Sequence, residues 1–248
     1  MIAGKILIAG LVGFGVVSIG GRADAYRPFD GTDAAVADPG EIEVELQPAG
    51  FLREGSQTRL VAPATIVTLG VVEGWQVDAQ GQGEIPVGHL NGRTSIANTG
   101  IFAKHMLRDG VLQGKPGPSI ATEIGVLLPE LNGTSGTGAT WDVIVSEGAA
   151  WGAVHLNIQP EITQHQHFGL LLDAIVEGPR EWPLRPVAEV FANRDFRGPL
   201  ERSALVGGIW QVRETLAFDI GVRAACVDSH GMAEVRAGVT FAFAASGP

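Results

Sequence analysis

The chain has 248 residues, enough for one large β domain or two small ones, and 35 of them are glycine. Only 18% are charged against 45% hydrophobic, and the net charge of -10 withholds the basic face that a nucleic-acid partner needs. The single cysteine, Cys226, excludes an intrachain disulfide framework and any multi-cysteine metal site.

The first element is a processing segment. Lys5 precedes the apolar run from Ile6 to Ile19, and Gly20-Gly21-Arg22-Ala23-Asp24-Ala25 supplies small residues in an A-x-A arrangement. This predicts a secretory signal peptide over residues 1–25, cleaved after Ala25, then a polar periplasmic leader over 26–40. No later run approaches the ~18 apolar residues of a spanning helix. A chain of this kind crosses a membrane only with strands closed into a barrel, because lipid offers no partners for backbone groups.

From Glu41 onward the pattern has period two. Glu41-Ile42-Glu43-Val44-Glu45-Leu46-Gln47 alternates acid and aliphatic, so the carboxylates share one strand face and the aliphatics the other. A sandwich would send the acids to bulk water; a membrane barrel would send the aliphatics to lipid and the acids into a wet interior. Further alternating segments follow at 58–69, 75–80, 101–107, 119–126, 141–146 and 154–159. The rest are 168–177, 184–191, 204–212, 216–222 and 234–241. That makes about twelve strands in one antiparallel up-and-down barrel over residues 41–248. Val71–Gly74, Gly148–Ala150 and Arg213–Thr215 read as short inner turns, and Gly81–Arg93, Leu128–Thr140 and Phe196–Ser203 as longer outer loops. Arg108–Pro118 and Gly178–Pro183 are long for inner turns. Trp75, Trp141, Trp151, Trp182 and Trp210 fall near strand ends, as a sparse interfacial girdle would.

The chain resembles the outer-membrane transporters associated with the meta-pathway of phenol degradation. The resemblance is carried by "GEIEVELQPAGF", "LVAPATIVTLGVVEGWQVD", Lys104, "GPSIATEIGVLLPE", "WPLRPVAEVFANR", "ALVGGIWQVRETLAFDIGVR" and "AEVRAGVTFAF". It spans nearly all of the expected mature chain, as a pattern of strands and turns without a catalytic motif. It implies a barrel in the outer membrane of a Gram-negative bacterium, passing small hydrophobic or aromatic compounds.

With these faces the interior receives Glu41, Glu43, Glu45, Lys104, Glu123, Arg185, Glu189, Asp219, Arg223, Glu234 and Arg236 as the permeation candidates. Asp78, Asp142, His155, Asn157, Asp173 and Glu177 join them. Buried charges must be paired, and closure of last strand on first suggests Arg236 beside Glu43 or Glu45, with Arg223 beside Glu234. The generic reading is an ionic network that fills and props the barrel; the functional one is a polar constriction that selects permeants.

No catalytic residue, cofactor or metal site is expected. His155 and Asn157 share a face, but the sequence places no serine beside them. His165 and His167 lack an evident third ligand and read as an external loop. Gly133-Thr-Ser-Gly136-Thr-Gly138 lacks the Lys-Ser/Thr of a phosphate loop. The expected partners are outer-membrane lipids, the barrel assembly machinery and an unidentified small permeant. Two functions remain open: a passive channel, or a closed structural or envelope-interaction barrel whose few strands leave little free space. A secreted β-sandwich is the soluble alternative.

Overall fold

A computed structural model describes residues 27–88, 93–133 and 136–244. The signal-peptide expectation for residues 1–25 lies outside the described residues. Twelve strands follow one another: β1 Glu41–Glu54, β2 Gln57–Val72, β3 Trp75–Pro86, β4 Ser95–Arg108, β5 Ser119–Leu127 and β6 Gly138–Ala149. Then come β7 Gly152–Ile162, β8 Phe168–Glu177, β9 Leu184–Asp195, β10 Leu200–Arg213, β11 Leu216–Val227 and β12 His230–Ala244. Each pairs antiparallel with its sequence neighbours, and β12 pairs with β1, so the sheet is a closed barrel. Closure leaves no unpaired edge, which is what lets strands cross a membrane.

The pleat sorts the side chains. Along β1 the residues Glu41, Glu43, Glu45 and Gln47 are buried, while Ile42, Val44 and Leu46 lie on the outer face. Val176, Ala188, Val206, Val222, Val235 and Phe51 are opposite one another across successive strands. They form an outward apolar row, in which Val206 is 64% exposed. An apolar outside around a polar inside is the inverse of a soluble β-protein, and the chain is an antiparallel transmembrane β-barrel.

One end of the barrel carries Glu41, Ala244 and the two-residue turns at 73–74, 150–151 and 214–215. The same end holds the 109–118 connection with its single 3-10 turn, Val111–Gln113. At the other end only the connections 87–94 and 128–137 are long; β1–β2 and β11–β12 meet in two-residue turns. The expected loop asymmetry therefore rests on two connections. Phe196–Ser203, read as a long loop, shrinks to four residues because β10 begins at Leu200. Trp75, Trp151, Trp182 and Trp210 are at the terminal end and Trp141 near the other, all of them exposed.

Residues 27–40, expected as a leader outside the barrel, run inside it. Two small apolar clusters mark their seat. Phe29 packs on Val187, Ile209 and Ala217, and Ala34 packs with Ala121, Ile144 and Leu112.

Candidate functional site

The inner wall is divided by charge. From β8 round to β1 it carries arginines, each with carboxylate partners. Arg185 Nη1 donates to Glu177 at 2.8 Å. Arg223 donates to Ser203 Oγ (2.8 Å), Glu234 (3.3 Å) and Glu201, and its guanidinium lies 5.0 Å from the centre of the Phe191 ring. Arg236 donates to Glu234 at 2.9 Å. Such pairing is required, since an isolated charge in this setting costs several kcal/mol.

From β2 to β8 the wall is acidic. Lys104, Glu123 and Asp142 stand opposite one another on β4, β5 and β6. Lys104 is fully buried. Asp78 accepts from Thr68 Oγ1 (2.6 Å) and Gln76 Nε2 (3.0 Å). Phe102 stands opposite Gly125, where a Cβ would come 2.1 Å from its ring, so any side chain at that position would have to displace the ring.

The internal segment threads round this wall and meets every strand. Arg27 N–H donates to Glu45 at 2.8 Å, and its guanidinium reaches Gln47 and, at 3.7 Å, Asp219. Arg236 then holds the Pro28 carbonyl (2.9 Å) and Asp30 (2.8 Å). The N–H groups of Asp30 and Gly31 both donate to Glu189 at 2.8 Å. Thr32 and Asn157 bond reciprocally, N–H to Oδ1 at 3.0 Å and Nδ2–H to the Thr32 carbonyl at 2.9 Å. Lys104 Nζ donates to Thr32 Oγ1 at 3.0 Å. Ala34 N–H donates to Ser146 Oγ (2.9 Å), Ala37 N–H to Gln76 (2.9 Å) and Asp38 N–H to Glu41 (3.0 Å). Gly40 N–H reaches the Gly70 carbonyl at 2.8 Å. At Gly70 a Cβ would come 1.9 Å from the Asp38 carbonyl oxygen, so only glycine lets the segment pass.

Asp33 is clamped by Arg180 at 2.9 Å. Burial raises its carboxyl, but Arg180, Lys104 and His155, with the Ala35 N–H, outweigh that and hold its pKa below the ordinary 3.8.

Ten of the eleven permeation candidates are buried inside the barrel, and Glu123 is half-buried. Arg223 stands directly opposite Glu234. Arg236, expected beside Glu43 or Glu45, is opposite Gly50 instead. Glu45 stands opposite Thr240 and accepts the Arg27 main-chain N–H; the one-residue slip between Leu46 and Ala49, where Pro48 offers no N–H, moves Arg236 only from Ala49 to Gly50. A serine does adjoin His155: Ser146 Oγ is 2.8 Å from its Nδ1, across two strands. Ser146 is fully buried and also accepts the Ala34 N–H, so the pair clamps the internal segment. His167 bonds Asp195 at 2.9 Å, and no cluster of three metal-binding side chains occurs among the described residues. The internal segment itself was missed. Its signal lies in the wall: the inward-facing acids outnumber the inward-facing bases, so the interior demands further donors, and residues 27–40 supply Arg27 and a series of main-chain N–H groups.

No family model and no curated protein matches the chain. Solved structures are similar to it in fold. The outer membrane channel from Pseudomonas putida F1 superposes with a TM-score of 0.61 at 8% identity, covering 84% of this chain and 97% of that one. The NanC porin gives 0.55 at 9% identity over 81% and 98%. The KdgM porin, solved in complex with disordered oligogalacturonate, gives 0.53 at 12% identity over 81% and 99%.

Proposed function

We propose that the protein is a non-enzymatic channel of a Gram-negative outer membrane, passing small solutes passively and restricted from within by residues 27–40. The observation that carries this reading is the polar, charged wall enclosed by an apolar outer face: a barrel built only as a membrane plug has no need of a hydrated interior. The fold shared with outer-membrane porins and channels supports it. The resemblance to transporters of the phenol meta-pathway favours small aromatic or hydrophobic compounds as permeants. On this reading lipid meets the Val206 row, the terminal end faces the periplasm, and the barrel assembly machinery inserts the chain after signal-peptide removal. Liposome swelling tests it: proteoliposomes swell in small solutes and empty liposomes do not. Absence of flux for every small solute would defeat the channel reading.

A second reading is a closed barrel with a structural role, favoured by the way residues 27–40 meet every strand. It predicts no flux through the intact chain and a leak once that segment is removed.

A further inference from the structure

On the acidic side of the interior lies a cavity of about 220 Å³, roughly seven water volumes at ~30 Å³ each. Its base is Asp30, Gly31 and Thr32 of the internal segment, and its wall runs from β2 to β8. The charge of its lining is one-sided. Asp30, Asp78, Glu123, Asp142 and Glu161 face it, and among the described residues no lysine, arginine or histidine lines it, though Lys104 stands behind the base with its Nζ on Thr32. The other half of the lining is apolar, with Phe29, Phe102, Ile66, Leu127 and Leu171.

Most of these acids are already engaged. Asp30 is held by Arg236, Asp78 by Thr68 and Gln76, and Glu123 stands opposite Lys104. Asp142 differs. The residue is only 3% exposed, and although its carboxyl lies near Lys104 and takes main-chain N–H groups of Val143 and Ile158, its Oδ1 has no hydrogen-bond partner among the described residues. A buried carboxylate oxygen without a donor is costly, and a cation bearing N–H groups relieves that cost best. An apolar wall beside it discriminates against a bare inorganic ion, which would lose hydration there with nothing in exchange.

We propose that this cavity is a binding site for a small organic ammonium compound. Its N–H groups bond Asp142, and its hydrocarbon or aromatic body rests on Phe29, Phe102 and Leu171. Where residues 27–40 narrow the barrel, the site selects cationic over neutral and anionic solutes of the same size. The inference rests on the channel reading for how the ligand arrives, but the site itself needs only the folded barrel.

The test is equilibrium dialysis of the purified full-length barrel in detergent against phenethylammonium and, separately, its neutral analogue 2-phenylethanol. Phenethylammonium binds one equivalent, and the alcohol binds roughly tenfold to a hundredfold more weakly. Asp142→Asn loses a similar factor while the gel shift of the folded barrel on heating persists, and the surface variant Glu147→Gln binds as wild type. If Asp142→Asn does not assemble, Glu123→Gln lowers affinity for the ammonium and leaves that for the alcohol unchanged. Equal binding of the two compounds, an unchanged affinity in whichever variant assembles, or no binding by correctly folded protein overturns the proposal. A barrel that binds the ammonium but passes no solute contradicts only the channel reading. One that passes solutes but does not bind it contradicts only this site.

Discussion

Arg236 of β12 and Asp30 of the internal segment are joined by a 2.8 Å hydrogen bond, Nη2 to Oδ1, across 206 positions of sequence. The same guanidinium holds the Pro28 carbonyl and Glu234. One side chain thus ties the last strand to residues that precede the first. It makes the seating of the segment a property of the closed barrel.

Replacing Arg236 should loosen that seat. In Arg236→Leu the wall keeps Glu234 and the segment keeps Asp30, both without this donor. Breaking a buried pair on one side costs about 3 kcal/mol, the low end of the usual range, because Arg223 stays 3.4 Å from Asp30. The temperature at which the folded band converts on a gel falls, and open-channel current rises. An unchanged temperature and current would mean that the bond carries nothing.

Gly70→Ala attacks the other end of the segment. The new Cβ would meet a backbone oxygen, which cannot swing aside as a side chain can, so Asp38 and its neighbours must leave the wall. Limited proteolysis near residues 37–39 is faster than in wild type, while the barrel still forms. Equal cleavage rates would show that the close approach is not maintained in solution.

The faces of the wall can be tested with one substitution in two places. Val206→Arg, midway along β10 on the outer row, puts a charge against lipid at a cost of about 2–4 kcal/mol and blocks assembly. Gln159→Arg enters the cavity lined by Asp142 and Glu161 and is tolerated. Membrane fractionation with a gel shift on heating reads both. Equal tolerance would mean that the two faces are misassigned.

Acidification acts through Asp33 in one direction. Its carboxyl lies below the ordinary 3.8 when seated. Its contribution is therefore complete above that value and is lost as the pH falls through the lower seated one. The Asp33 contribution to the channel current, read as the difference between wild type and Asp33→Asn, is constant above about pH 4 and is lost only below it. Arg180→Gln, which removes the 2.9 Å partner, moves that loss to higher pH.

Much of this architecture is legible in local sequence. Alternation alone turns Glu43 inward and Val44 outward, because the pleat allows no other arrangement over an unbroken run. The twelve strands follow from the same rule repeated. Pairing across the closure is different: the register between last and first strand sets Thr240 opposite Glu45 and Arg236 opposite Gly50, and no local pattern announces it. Residues 27–40 have no period at all, so nothing in them marks strand, helix or burial. Their place is set by what the wall lacks. Ser146 and His155 are brought together by hairpin register, which sequence spacing does not encode.

The claim on which the rest depends is that residues 27–40 sit inside the barrel and limit passage through it. Single-channel conductance in planar bilayers, wild type against a variant lacking residues 28–38, tests it directly. The account predicts a small conductance in wild type and a several-fold larger one in the variant, with both barrels folded. Equal conductances, or a folded variant that passes no current, would contradict it.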